Sequence, residues 1–236
     1  MSRGSAGGRG AGRGAPRGAG STAPPRVEPQ VWLFHKPLDC VTTHADELGR
    51  PTVYDVFRRV LPLALQRVEW SAVGRLDLDT TGLLLMTNDG GFVHYATHPD
   101  HGVTKTYHAH VRGRVDDAAL APIRVGLELG AGLGHSAPAE ARVLGVDGAT
   151  TAVELVLCEG KNREVRRLLH AIGHPVVSLA RVRVNTLGLD VPLGGARRLG
   201  DDELASALGF AWPRTPTPSA SARLLAASLA PRRRPR

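Results

Sequence analysis

The composition of the two ends of the chain restricts folding to its middle. Residues 1–29 are mostly Gly, Arg, Ala and Pro, and residues 211–236 end in "PRRRPR". Segments with so little apolar surface cannot offset the conformational entropy that folding removes. We therefore expect two disordered tails on either side of one domain at residues 30–210, which is long enough to bury a substantial core.

The positive charge of the chain lies in these tails. Residues 1–26 contain five arginines and residues 211–236 contain six, with no acidic residue in either segment. The two tails together carry a charge of +11, whereas the net charge of the whole chain is +8. Residues 27–210 therefore carry a net charge of −3. Flexible cationic segments attract nucleic acid without regard to its sequence. A solvated extension without a partner is the alternative interpretation.

Several classes of protein are excluded by the sequence. It contains no apolar run of the ~20 residues that a membrane span requires, and its first 30 residues lack the apolar segment of an export signal. Cys40 and Cys158 are the only cysteines and lie far apart. A disulfide framework or a cysteine zinc site is therefore not expected. We predict a cytoplasmic protein that has no association with membranes.

Alternating and helical patterns predict a mixed architecture between the tails. Strands are predicted at residues 30–34, 82–87, 103–113, 138–146 and 151–160, and helices at 51–62, at 116–127 and between Gly160 and Gly173. The "NDGG" at residues 88–91 is typical of a tight turn. Strands joined by short turns favour an α+β fold, with a mainly antiparallel mixed sheet and flanking helices, over a parallel βαβ array.

The helix predicted within residues 159–175, between Gly160 and Gly173, has a basic face. Its basic residues follow the spacing i, i+3, i+4 and i+7, almost opposite a matching apolar stripe. They are Arg163, Arg166, Arg167 and His170. Glu164 is the only acidic residue of this helix, so the guanidiniums favour contact with phosphate or fixation of a buried carboxylate. A solvated face is the alternative.

Two residues of the strand predicted at 103–113 also point to nucleic acid. Lys105 and Tyr107 are two positions apart and therefore face the same way. An aromatic ring beside a cation suits a stacked base with a phosphate nearby, although a half-buried tyrosine is common in strands. Lysine is scarce in this chain, and its three lysines are Lys36, Lys105 and Lys161.

The stretch "VGRLDLDTTGLLLMTNDGG" (residues 73–91) places Asp77 and Asp79 ahead of an apolar strand. The pair could form a metal-binding Asp-x-Asp, but no third ligand follows at a convincing spacing. Turn formation explains Asp79, whereas no helix follows for Asp77 to cap. A zinc site is also disfavoured, because Pro99 interrupts the histidine-rich segment of residues 94–110.

Together these motifs resemble one family over residues 30–208. "FHKPLDCVTT", "VGRLDLDTTGLLLMTNDG", "VTKTYHAHVRG" and "EGKNREVRRLLHAIGHP" occur in the order and separation of the bacterial ribosomal-RNA pseudouridine synthases of the RsuA branch, which also holds the RluB, RluE and RluF enzymes. The resemblance implies the pseudouridine synthase fold with a central RNA-binding cleft. Leu38-Asp39 departs from the glycine that is common in the first motif. The N-terminal RNA-binding domain of many members is not expected here.

The resemblance also implies roles for individual residues. By position, Asp77 matches the catalytic aspartate and Tyr107 the tyrosine that stacks on the target base. Arg166 matches the basic residue paired with the aspartate, with Arg163 and Arg167 as competitors. We assign direct RNA contacts to six basic residues of these motifs: Lys36, Arg75, Lys105, Lys161, Arg163 and Arg167.

The function implied by the resemblance is isomerisation of one uridine in ribosomal RNA to pseudouridine, and the single-domain layout favours RNA of the large subunit. The reaction needs no metal or other cofactor. We expect a monomer whose partner is ribosomal RNA or a pre-ribosomal particle. Two alternatives remain. One is a non-catalytic RNA-binding or ribosome-assembly factor, and the other is a metal-dependent phosphoesterase that uses Asp77 and Asp79.

Overall fold

The computed structural model describes residues 27–130 and 132–212, which form an α+β fold around one large sheet. Its strands are β1 (Val31–Lys36), β2 (Ser71–Val73), β3 (Thr81–Thr87), β4 (Lys105–Arg112), β5 (Glu140–Asp147), β6 (Thr150–Leu157), β7 (Val176–Val184), β8 (Leu187–Gly188) and β9 (Ala196–Arg198). Its helices are α1 (Val53–Val60), α2 (Gly90–Thr97), α3 (Ala121–Val125), α4 (Glu164–Ala171) and α5 (Asp201–Leu208). The predicted fold class is confirmed. Most of both predicted tails lies outside the described residues.

The sheet consists of two antiparallel halves joined by a short parallel contact. Its main path runs β5-β6-β4-β7-β3-β1-β9, with β2 added to β3 and β8 added to β7. All pairings are antiparallel except that of β3 with β7, where Thr81 and Gly82 pair with Ala180 and Arg181. This junction lies directly after the segment that contains Asp77 and Asp79, so the two halves meet where the candidate site was expected.

Gly82 makes the junction possible. Its φ is +116°, a conformation that side chains with a Cβ rarely adopt. A Cβ at this position would lie 2.5 Å from the nitrogen and 2.8 Å from the carbonyl carbon of Arg181, and closer still to its carbonyl oxygen. The backbones of β3 and β7 therefore approach each other at a distance that only glycine permits.

Three apolar clusters support the two halves. One packs α3 and α4 against β4–β7, and the other two cover opposite faces of β1–β3. Leu83 and Leu85 of β3 point into one of the latter clusters, whereas Leu84 and Met86 point into the other. Burial on both faces explains why β3 is a continuous apolar run rather than an alternating one.

Two local predictions are wrong. The "NDGG" segment does not form a hairpin turn, because Asp89 caps α2 by accepting a hydrogen bond from the Phe92 backbone N–H at 2.7 Å. The helix predicted at residues 116–127 shrinks to α3, since Pro122 fits only in the first turn of a helix.

Among the described residues, no helix combines the length and apolar character required to cross a bilayer.

Candidate active site

A cleft of about 440 Å³ opens at the junction of the two half-sheets. It is lined by the loop before β3, by β4 and β7, and by the segment that precedes α4. Six predicted site residues are among those that line it: Arg75, Asp77, Lys105, Tyr107, Lys161 and Arg163. The chain thus brings together residues that are up to 88 positions apart in the sequence.

The loop that carries Asp77 is held in place by main-chain and hydroxyl contacts. The Thr80 N–H donates to the Asp77 carbonyl at 3.1 Å, which closes a turn around Leu78 and Asp79. On the other side of the loop, the Thr42 hydroxyl donates to the Leu76 carbonyl at 2.7 Å. The Asp77 side chain, 28% exposed, is therefore presented to the cleft from a fixed backbone.

Arg163 is the arginine nearest to the Asp77 carboxylate. Its Nη1 lies 3.5 Å from an Asp77 oxygen, and its two terminal nitrogens contact both oxygens of Asp79 at 3.2 and 2.9 Å. The residue is not helical. It precedes α4 with φ +51°, and this left-handed conformation lies outside the periodicity that predicted a basic helical stripe.

The expected pair between Arg166 and Asp77 is not formed. Arg166 instead donates to the Asp79 carbonyl at 2.7 Å and lies 3.2 Å from an Asp79 carboxylate oxygen. Asp79 is thus the anchor of two arginines, not simply a turn residue. Partial burial acts to raise the pKa of Asp79, but the hydrogen bonds of Arg163 and the charges of both arginines hold it below its ordinary value.

Lys36 does not fit the predicted role of a direct RNA contact. Its side chain is completely buried and donates hydrogen bonds to the carbonyls of Pro37 and Thr80, both at 2.9 Å. Burial lowers the pKa of this ammonium group. Lys36 thus holds the end of the Asp77 loop through the Thr80 carbonyl. A phosphate of the RNA backbone cannot reach its buried ammonium group.

The other predicted RNA contacts differ in their surroundings. Arg75 lies at the cleft and is exposed, and Lys161 pairs with Glu159 at 3.1 Å and donates to the His135 carbonyl. Arg167 is not among the residues that line the cleft. Its guanidinium is held by main-chain carbonyls, of Asn162 at 3.1 Å and of Leu129 at 3.4 Å.

Tyr107 and Lys105 share the wall of the cleft formed by β4. The Tyr107 ring packs against apolar residues of both half-sheets, which fixes its position at the junction. Lys105 is partly buried. This burial lowers the pKa of its ammonium group, and the neighbouring charge of Arg181 lowers it further.

Two cleft residues, Arg181 and Glu164, were not predicted from the sequence. Arg181 is buried in the middle of β7, where it follows the alternation Leu179, Arg181 that usually indicates an inward-facing position. Glu164 opens α4, and one of its oxygens accepts a hydrogen bond from the Lys161 N–H at 2.9 Å. The alternation on β7 was the only signal that could have identified Arg181.

Glu164 is an unusual acid because it is buried beside a second carboxylate. Burial, and then the hydrogen bond and charge of Glu159, raise the pKa of Glu164 to about 8. The folded chain therefore keeps a proton that the unfolded chain releases above its ordinary pKa of 4.5. The contribution of Glu164 to stability falls as the pH rises from about 4.5 to about 8.

We expect Glu164→Gln to stabilise the fold at high pH, because the amide has the shape of the neutral acid and cannot ionise. The variant should melt at a higher temperature than the wild type at pH 8, and the difference should shrink towards pH 5. Thermal unfolding at both pH values measures this, with the exposed Glu140→Gln as control. A difference that does not change with pH would contradict the assignment.

We expect Arg163→Gln to lower the turnover number for pseudouridine formation, the reaction that the sequence resemblance implies, by about 10- to 100-fold, since it removes the cation that contacts both Asp77 and Asp79. The exposed Arg59→Gln of α1 is the control. Turnover under single-turnover conditions separates this effect from RNA binding. Normal turnover in the Arg163 variant would show that Asp77 does not depend on this contact.

The histidine-rich segment does not assemble a metal site. The ring centroids of His94 and His98 lie 5.0 Å apart, and His101 packs at a tilt against Tyr95 with ring centroids 4.3 Å apart. Within residues 27–130 and 132–212, no three His, Cys, Asp or Glu side chains are grouped so that they could hold a metal ion. This applies to Asp77 and Asp79 as well, whose side chains form ion pairs with Arg163 and Arg166.

Known proteins are similar to this chain in sequence. The sequence model of a family described as RNA pseudouridylate synthase matches residues 30–171. The ribosomal large subunit pseudouridine synthase B of Bacillus subtilis is 38% identical over 182 residues, which are 76% of this chain and 71% of that protein. The protein of the same name in Haemophilus influenzae is 39% identical over 168 residues, which are 70% of this chain and 45% of that protein.

A solved structure gives the same result for the fold. A crystal structure of a pseudouridylate synthase superposes with a TM-score of 0.66 at 30% sequence identity. The match covers 77% of this chain and 74% of that chain. The match to the Haemophilus protein, in contrast, covers less than half of the length of that protein.

Proposed function

The chain belongs to the RNA pseudouridylate synthase family, and on this premise we propose that it isomerises a uridine of large-subunit ribosomal RNA to pseudouridine. One observation carries the proposal. A single cleft gathers the Asp77 carboxylate, the Tyr107 ring and a set of cations from three separate segments of the chain. The names of the relatives supply the substrate class, since both act on the large ribosomal subunit by name.

The proposed reaction exchanges one bond of the nucleoside for another. The bond between C1′ of the ribose and N1 of uracil breaks, the base turns, and C1′ bonds to C5. C5 loses a proton and N1 gains one, so that no atom enters or leaves. In this proposal Asp77 is the only carboxylate that acts on the nucleoside, while Asp79 is occupied by Arg163 and Arg166.

Substrate entry requires the uridine to leave its stack. The cleft volume is in the range of small-molecule sites, which suits one nucleotide and not a duplex. Extruding a nucleotide costs a few kcal/mol, and stacking on an aromatic ring recovers about 1–3 kcal/mol per base. In the proposal Tyr107 is this ring, held between the two half-sheets so that it needs no reorganisation.

The rim of the cleft supports contact with the RNA backbone. Arg75 is exposed at the cleft, and Lys161 lies at its edge near the start of α4. In the proposal these two cations bind phosphates on either side of the extruded nucleotide, which makes binding weaker as the salt concentration rises. Lys36 has no part in this contact, because it is fully buried.

The proposal is tested with the purified chain and an unmodified transcript of large-subunit ribosomal RNA. Chemical mapping of pseudouridine should reveal one newly modified position in the RNA. Adding a chelator to the folded RNA and protein should leave the rate unchanged, since Asp77 acts in the proposal without a metal. A transcript that stays unmodified, in isolation and in precursor particles, would refute the proposal. Chelator-sensitive hydrolysis of phosphate esters, with no pseudouridine formed, would favour the phosphoesterase alternative.

A further inference from the structure

Arg181 lies at the floor of the cleft, directly beside the proposed stacking residue. The register of β4 and β7 pairs Tyr107 with Arg181, so the two side chains stand on the same face of the sheet. Arg181 is 4% exposed, and its Nε donates to the Leu83 carbonyl at 2.6 Å. This bond fixes the guanidinium on β3, one residue beyond the Gly82 junction.

The charge of Arg181 has no protein partner within the described residues. No carboxylate of residues 27–130 and 132–212 forms a salt bridge with it, whereas the neighbouring Arg163 and Arg166 both pair with Asp79. Its two terminal nitrogens donate no hydrogen bond to this part of the chain and are not fully enclosed, so they face the cleft. Lys105, a second cation, is close enough that the charge of Arg181 helps to lower its pKa.

Burying two neighbouring cations in a cleft costs free energy unless an electron-rich ligand binds to them and replaces the lost water. The part of an extruded nucleotide that enters deepest is the base, whereas its phosphates remain on the RNA strand at the rim. Carbonyl oxygens of uracil are therefore the groups of the substrate that can reach a residue as buried as Arg181.

We propose that the terminal nitrogens of Arg181 bind a carbonyl oxygen of the target uracil and stabilise the negative charge that develops on the base during the reaction. This inference rests on the proposed function and adds a further catalytic residue to it. The hydrogen bond to Leu83 leaves the terminal N–H groups free for the substrate and prevents the guanidinium from moving when the base turns.

The role is the same for either course of the reaction. If the C1′–N1 bond breaks first, its electron pair remains on uracil and spreads from N1 to O2 and O4. If Asp77 adds to C6 first, the electron pair of the C5–C6 double bond moves towards C5 and O4. In both cases a carbonyl oxygen gains negative charge, which a fixed guanidinium stabilises more in the transition state than in the ground state.

Two substitutions test the charge. R181Q keeps a polar group for Leu83 but removes the cation, and it should lower kcat by at least about 100-fold while KM changes by less than about 3-fold. R181K, which restores the charge, should recover part of the loss. R183Q is the matched control, because Arg183 lies two residues further along β7 and is exposed.

Sulfur-substituted RNA tests the contact itself. Sulfur accepts hydrogen bonds more weakly than oxygen, so wild type should be slower by about 10-fold on RNA that carries 2-thiouridine or 4-thiouridine at the target. R181Q should not distinguish the thiolated RNA from the normal one by more than about 3-fold. An equal sulfur effect in R181Q and wild type would overturn the inference, as would normal kcat in R181Q.

The outcomes separate this inference from the proposed function. A wild type that forms no pseudouridine on normal RNA refutes the proposed function, and with it the basis of the inference. An active wild type with an active R181Q refutes only the role of Arg181. If neither Arg181 variant folds, the rates of the wild type on the two thiolated RNAs still test the inference. A wild type that is not slowed by sulfur at either O2 or O4 contradicts the contact.

Discussion

Asp77→Asn is expected to reduce pseudouridine formation by at least about 10³-fold, which is the largest loss of activity that the structure predicts. The amide has the size of the carboxylate, but it carries no charge and can neither accept a proton nor attack the substrate. The fold should persist, because the Asp77 side chain is partly exposed and its one ion pair, with Arg163, spans 3.5 Å. Such exposed pairs contribute at most about 1 kcal/mol.

The comparison requires that binding and folding are measured alongside activity. The Asn variant should bind the RNA with wild-type affinity or slightly better, and its melting temperature should change by a few degrees at most. Asp147→Asn is the control, since Asp147 is exposed at the end of β5 and far from the cleft in the sheet order. A turnover within 10-fold of wild type would exclude Asp77 as the reacting group.

Gly82→Ala is expected to have the largest effect on stability, destabilising the fold by more than about 4 kcal/mol or preventing folding. Two costs add at this position. Alanine is strained at φ +116°, and its Cβ would overlap the backbone of Arg181, which cannot move without separating β3 from β7. The parallel pairing of these strands connects the two half-sheets, and therefore the loss affects the whole domain.

Gly188→Ala is the matched control for this experiment. Gly188 is also a strand glycine beside β7, but nothing lies within 4 Å of the position of its Cβ. Chemical denaturation of the two variants should therefore separate a loss of several kcal/mol from a change of less than about 1 kcal/mol. If Gly82→Ala unfolded at the wild-type denaturant concentration, the close approach of β3 and β7 would not be essential.

Much of the fold could be predicted because the signals that define it are local. Apolar alternation and continuous apolar runs depend on neighbouring residues, and they predicted β1, β3, β4, β5 and β6 and the helix α4. The failures came from segments where two local signals competed. "NDGG" satisfies the requirements of a hairpin turn and of a helix cap. The helix forms here, and it buries the side chain of the following Phe92 in an apolar cluster.

The arrangement of the site was less predictable because it depends on contacts between distant segments. Asp77 and Tyr107 could be singled out only together with the family motifs, since each alone is an ordinary residue type. The pairing of Arg163 with Asp77 and Asp79 follows from one left-handed residue before α4, which helical periodicity cannot reveal. Burial was the main cause of error for Lys36, since a lysine beside a turn normally reaches the solvent.

The most direct test of the central claim is a map of pseudouridines in ribosomal RNA from a strain that lacks this protein. We expect one large-subunit position to lose its pseudouridine, to regain it when the wild-type gene is restored, and to remain a uridine when the Asp77→Asn gene is restored at equal protein level. An unchanged map, or full restoration by Asp77→Asn, would contradict the account and favour an RNA-binding protein without catalysis.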